Sequence, residues 1–232
     1  MPSIIDIAAN LLRIREQIAD SASRASRDPA SVRLVAVSKT FPAEGIMEAY
    51  DCGQRDFGEN RVQEFLQKLP QLHCPEAVFH LIGHLQTNKV QQAMAFDWVQ
   101  TVDNQRLALR LNEAAAKVSK RVPVLIEVKL GEEETKTGAS EQEAAGLASF
   151  VDSLDGLQLT GLMTIPPYAL DPEGSRPYFR SLRQLRDRLR EAGLQQLKEL
   201  SMGMSRDFAI AIEEGATIVR IGTAIFGPRT PK

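Results

Sequence analysis

The 232-residue sequence predicts an α/β protein, folded as a single (β/α)8 barrel with an extra N-terminal helix. Three observations carry that expectation. Eight short apolar, β-branched runs alternate with helix-like segments. The length suits barrels of roughly 200–250 residues. No Ser/Gly-rich linker, low-complexity tract or repeat divides residues 1–232, so one domain is expected. A doubly wound sheet would alternate in the same way, but no G-x-G-x-x-G opens the first βα unit.

The elements follow in order. MPSIIDIAANLLRIREQIADS reads as an amphipathic helix with acidic residues inside it, lacking the basic start and cleavage site of a signal peptide. Buried parallel strands are expected at 33–39, 55–60, 78–83, 98–103, 122–130, 157–165, 197–204 and 217–226. Helices with apolar spacing of three and four are clearest at 104–120, 140–154, 175–192 and 205–214. Gly53, Gly193 and Gly215 fall where helices should stop, and Pro42 lies near the start of one. The longest irregular stretch, 166–174, occupies the expected sixth βα loop.

Composition narrows the class. Hydrophobic residues at 43% and charged residues at 25% are ordinary for a globular chain. A net charge of −2 gives no reason to expect nucleic acid or an anionic membrane as partner. Cys52 and Cys74 are far apart and are expected to be reduced thiols, as in a cytosol. No run approaches the ~20 apolar residues of a membrane helix, so a soluble, cytoplasmic protein is expected.

The segment 200–227, LSMGMSRDFAIAIEEGATIVRIGTAIFG, carries the most chemistry. Ser205 stands at an expected helix start, and Gly222-Thr223-Ala224 forms a small-residue turn after the last strand. Side by side, these turns aim hydroxyls and unpaired N–H groups at one point, which suits a phosphate. The loops after strands seven and eight of such barrels often hold one. Arg220 adds a permanent positive charge inside an apolar strand.

Lys39 ends the first strand at the functional face of the expected barrel. Partial burial there lowers a lysine's pKa and frees neutral amine to attack an aldehyde; a solvated strand-end lysine is the plainer alternative. An amine paired with a phosphate site points to a phosphorylated aldehyde, of which pyridoxal 5′-phosphate is the commonest cofactor. Asn60 and His84 are polar groups at the ends of the second and third strands, able to line the same mouth. Asn60 would equally cap a helix over 61–69. His73, Cys74, His80 and His84 resemble a metal set only in type: their spacing suits none, and no acidic residue stands beside the last two in sequence. The run Glu132–Glu134, between Lys129 and Lys136, reads as a solvated loop. Met163 and Met202 read as core fillers. Among the three tyrosines, Tyr168 alone falls in a loop on the functional face.

The motifs VSKT around Lys39, FGEN at 57–60, IGHLQTNK at 82–89, GLMTIP at 161–166 and the segment 200–227 closely resemble the pyridoxal phosphate homeostasis protein family, related to the barrel domain of alanine racemase. The resemblance spans nearly the whole chain. It implies a fold-type III barrel with pyridoxal phosphate in a Schiff base to Lys39. The phosphate would be held around Ser205, Gly222 and Thr223, with Arg220 facing the pyridine nitrogen and Asn60 and His84 near the ring. An arginine there only donates, so the ring nitrogen would stay unprotonated and make a poorer electron sink. Only five residues follow the last expected turn, so the second domain of the related racemases and a second base have no candidate. The resemblance therefore implies a carrier that buffers pyridoxal phosphate and delivers it to apo-enzymes, with a monomer expected. A small amino-acid racemase is the alternative; an aldolase-like barrel acting on a sugar phosphate would not need Arg220.

Overall fold

The computed structural model describes residues 5–131 and 137–228. Its strands are β1 (Arg33–Val37), β2 (Asp56–Glu59), β3 (Val78–Leu81), β4 (Trp98–Val102), β5 (Val122–Lys129), β6 (Ala139–Ser140), β7 (Leu157–Met163), β8 (Glu199–Ser201) and β9 (Ile218–Ile221). The helices are α1 (Ile7–Arg24), α2 (Ala43–Asp51), α3 (Val62–Lys68), α4 (Val90–Ala93), α5 (Gln105–Lys117), α6 (Glu141–Asp152), α7 (Arg176–Glu191), α8 (Phe208–Glu213) and α9 (Thr223–Phe226). All strand pairs are parallel, and the sheet closes through β4–β5 and β1–β9 into an eight-stranded α/β barrel. The two-residue β6 only adds to the end of β5.

Helix α1 lies outside the eight βα units. Its buried residues Ile7, Leu11, Ile14 and Ile18 recur at three- and four-residue spacing, the stripe an amphipathic helix needs, and Asp6 caps its start by accepting from Ala9 N at 2.8 Å. That stripe packs against α8, α9 and α2. The main apolar core fills the space between the barrel wall and the helices, while Val35, Leu125, Met163 and Ile218 form a separate cluster inside the barrel.

Three expectations shift. The segment 217–226 is not one strand: it breaks at Gly222 into β9 and the short α9. The helix expected from Ser205 begins at Phe208, because Asp207 accepts from Met204 N at 2.7 Å and from Ser175 Oγ at 3.0 Å, holding 204–207 as a turn. Asn60 is not a cap: the residue before α3 is Arg61, whose side chain makes no capping bond. Gly53, Gly193 and Gly215 follow helices at positive φ, as expected. Met163 and Met202 are buried, and Cys52 and Cys74 are free thiols. The acidic run 132–134 and Lys136 lie outside the described residues. None of the described helices is long and apolar enough to cross a membrane.

Candidate ligand site at the carboxyl end of the barrel

A cavity of about 610 Å³ opens at the carboxyl ends of the strands. That volume suits a small ligand. Alternation along β1 turns Val35, Val37 and then Lys39 toward the barrel axis, and Lys39 lines the cavity with Val37. Asn60 joins it from the end of β2, with Arg220, Gly222 and Thr223 from β9 and its turn. Ser205 enters from the loop after β8, and 165–169 closes one side from the loop after β7. Six of the seven expected site residues therefore share one space.

His84 is the exception. It is exposed, is absent from the cavity lining, and its Nδ1 stands 3.5 Å from Asp103 Oδ2. His80 is buried with Nε2 2.9 Å from Asp56 Oδ1. Both histidines thus have acidic partners that their sequence neighbours do not reveal. Among the described residues no three His, Cys, Asp or Glu side chains converge as a metal set.

Two glycines shape the loops around the site. Gly203 has φ +92, and a Cβ there would fall 2.5 Å from the Cβ of Ala211; its carbonyl accepts from Arg220 N at 3.0 Å. At Gly83 a Cβ would fall 2.3 Å from the carbonyl oxygen of Asn60, so only glycine lets the end of β3 pass so close to Asn60.

Arg220 is 3% exposed. Its guanidinium donates to Ser201 Oγ at 2.6 Å and to the Thr164 carbonyl at 2.9 Å, both neutral groups. Burial pushes its pKa down to about 10, opposed by the charges of Glu127 and Asp207. It stays cationic at neutral pH. Ser201 Oγ donates on to Gln100 Oε1 at 2.6 Å, and Gln100 Nε2 lies 3.0 Å from His80 Nδ1. The chain Arg220–Ser201–Gln100–His80–Asp56 therefore crosses the barrel interior with every donor pointing the same way. It requires neutral His80 protonated on Nε2, and burial lowers the His80 pKa despite the bond to Asp56. Gln100 and Ser201 were not expected as site supports; their signal is a polar residue in the middle of an apolar strand run.

The mouth carries a second constraint. Arg206 stacks over Tyr168, with 5.0 Å from guanidinium carbon to ring centroid, and donates to the Tyr168 hydroxyl and to the Leu170 carbonyl. This ties the loop 166–174 to the turn that bears Ser205. Glu127, near the same mouth, is 5% exposed; one oxygen accepts from Thr137 Oγ1 at 3.1 Å and Oε2 has no hydrogen-bond partner. Burial raises its pKa.

An amine from the first strand, hydroxyl donors from the last two loops and a buried cation between them define an α/β barrel of the alanine racemase type. Residues 9–230 match the family model described as alanine racemase, N-terminal domain. The chain belongs to the pyridoxal phosphate homeostasis protein family. It is 47% identical over 220 residues to the pyridoxal phosphate homeostasis protein of Aquifex aeolicus, covering 94% of this chain and 96% of that one. It is 43% identical over 232 residues to the protein of that name from Escherichia coli K12, covering 97% of each. Among solved structures it resembles PipY of Synechococcus elongatus PCC7942 with pyridoxal phosphate bound, at TM-score 0.84 and 39% identity, over 96% of this chain and all of that one.

Proposed function

We propose that this protein binds pyridoxal 5′-phosphate covalently through Lys39 and serves its intracellular homeostasis as a carrier, without catalytic turnover. One observation carries the reading: Lys39, Arg220, Ser205, Gly222 and Thr223 line a single cavity, although 166 or more positions separate the lysine from the others. The donor set fits the group. Hydroxyls and backbone around Ser205 and Thr223 suit its phosphate, the Lys39 amine suits its aldehyde, and the Arg220 guanidinium suits an unprotonated ring nitrogen. When bound, the ligand supplies an aldehyde that joins an amine through a carbon–nitrogen bond with loss of water.

The lack of turnover rests on Arg220. A buried guanidinium whose pKa is about 10 still only donates at neutral pH, so it leaves the ring nitrogen without the proton that carbanion chemistry uses. Thr223 and Met204 are exposed at the mouth, which lets a second amine reach the ligand and carry it to an apo-enzyme. Asn60 is assigned to the ring's edge. His84, paired with Asp103 outside the cavity lining, is given no direct contact. The chain is proposed to act as a monomer in the cytoplasm.

Purified protein mixed with pyridoxal phosphate is expected to gain visible absorbance and, after borohydride reduction, a mass increase on the Lys39 peptide. Lys39→Ala should show neither, and a yellow, covalently loaded alanine variant would overturn the assignment. Incubating loaded protein with single amino acids tests the rest: sustained change in chirality or ketoacid formation, well above that of free cofactor, would make it an enzyme.

A further inference from the structure

Lys39 is gripped from behind. The alternation that turns Lys39 into the cavity turns Ser38 outward, toward α3. There Ser38 Oγ donates to Glu59 Oε1 at 2.8 Å. The Lys68 ammonium donates to the same Glu59 oxygen at 2.7 Å, to Glu64 Oε1 at 2.8 Å and to the Ser38 carbonyl at 3.1 Å. Glu64 Oε1 also accepts the backbone N–H of Thr40, a non-glycine residue at φ +69. The cluster therefore holds the residue before Lys39 and the residue after it, while none of Glu59, Glu64 and Lys68 lines the cavity.

A purely structural ion pair would need only Lys68 and Glu59, which is fully buried. The added bond reaches the one backbone position next to Lys39 that sits in the left-handed region. Without it, Thr40 has reason to relax to an ordinary conformation, and Lys39 would turn with it.

We propose that Glu64 and Lys68 are positioning residues for Lys39: by fixing the Ser38 carbonyl and the left-handed turn at Thr40, they aim the lysine amine at the aldehyde of a ligand whose phosphate is held on the far side of the cavity. This rests on the reading of Lys39 given above. The amine attacks the aldehyde carbon, a carbon–nitrogen bond forms, and the carbonyl oxygen leaves as water. The cluster takes no part in that exchange; it sets the approach.

The test measures capture and non-covalent binding separately on the full chain. Capture is the rate at which visible absorbance appears with pyridoxal phosphate. Non-covalent binding is the calorimetric affinity for pyridoxine 5′-phosphate, which has the ring and phosphate but no aldehyde. Glu64→Ala is expected to slow capture roughly tenfold, because reactive groups lose rate steeply when misaimed, with the affinity for pyridoxine 5′-phosphate unchanged. Glu64→Gln keeps an acceptor for the Thr40 N–H and should recover most of the rate. Thr40→Gly, at an exposed position, removes the penalty that drives residue 40 out of the left-handed region, so combined with Glu64→Ala it should restore much of the lost capture rate. A wild-type capture rate in Glu64→Ala overturns the proposal. So does a loss of capture and of pyridoxine 5′-phosphate affinity in equal proportion, which would mark a general structural role. A wild-type chain that forms no adduct would instead sink the reading of Lys39 on which the proposal rests.

Discussion

Lys68 and Arg220 are both cations withdrawn from water, one behind the barrel wall and one inside it, and they are partnered in opposite ways. The Lys68 side chain is 10% exposed and lies between Glu59 at 2.7 Å and Glu64 at 2.8 Å. Arg220 is as deeply placed, but its donors end on a hydroxyl and a carbonyl. A charge closed off by counter-charges has spent its electrostatics on the protein. One held only by neutral acceptors keeps most of its field for whatever enters the cavity. The difference separates a brace from a ligand-facing group.

Removing each cation tests that contrast. Lys68→Met leaves Glu59 buried with no counter-charge, and should cost about 3–5 kcal/mol in a urea titration. Because burial already raises the Glu59 pKa, Glu59 will take up a proton readily in that variant, so the loss should shrink as the pH falls toward the carboxylate range. Arg220→Met strands one hydroxyl and one carbonyl, at about 1–3 kcal/mol, but removes a charge that burial disfavours. Its net stability loss should therefore be clearly smaller than that of Lys68→Met. Equal losses would erase the distinction.

The interior chain sharpens the Arg220 side. His80 has a folded pKa below its ordinary value of 6.5, so the unfolded chain binds the proton more tightly than the native one. This group's contribution is complete above pH about 6.5 and is lost as pH falls through the window below it. Denaturation followed by circular dichroism should show that loss in the wild type and a flatter profile in His80→Asn. The smallest effect belongs to the rim. Arg206→Ala removes an exposed contact with Tyr168 and should change stability by no more than about 0.5 kcal/mol. Release of bound ligand should nevertheless quicken, read as faster exchange into an apo-enzyme acceptor.

The eight barrel strands were legible because buried parallel strands read as apolar runs, and Lys39 was legible because it closes the first of them. The ends of strands were less so. Residues 202–204 and 222–226 are as apolar as the strands they follow, yet Gly203 at φ +92 and the turn at Gly222 stop the pairing, which depends on backbone geometry more than on hydrophobicity. Ser205 looked like a helix start, but Asp207 two positions later takes over the local N–H groups. His84 pointed to the site only by lying past a strand end; Asp103, on a neighbouring strand's loop, draws it elsewhere. Of the Glu59–Lys68–Glu64 cluster, only the four-residue spacing of Glu64 and Lys68 on α3 shows in the sequence; the part played by Glu59 does not. It depends on which face of β2 and which side of α3 meet, and a strand period of two against a helix period of 3.6 hides that meeting.

Helix α1 has a consequence for how the chain is made. Asn10 donates at 3.0 Å to the carbonyl of Ile225, 215 positions away, and Arg33 on β1 pairs with Ile218 on β9. A ribosome that has released the first helix and strand has not yet supplied the surfaces they rest on. Their apolar faces must wait, exposed or chaperoned, until residues 218–225 have been made. Such long-range closure slows folding and makes the nascent chain vulnerable to aggregation over that interval. Synthesis speed and chaperone supply, more than the finished protein's stability, should therefore limit its yield when it is overproduced.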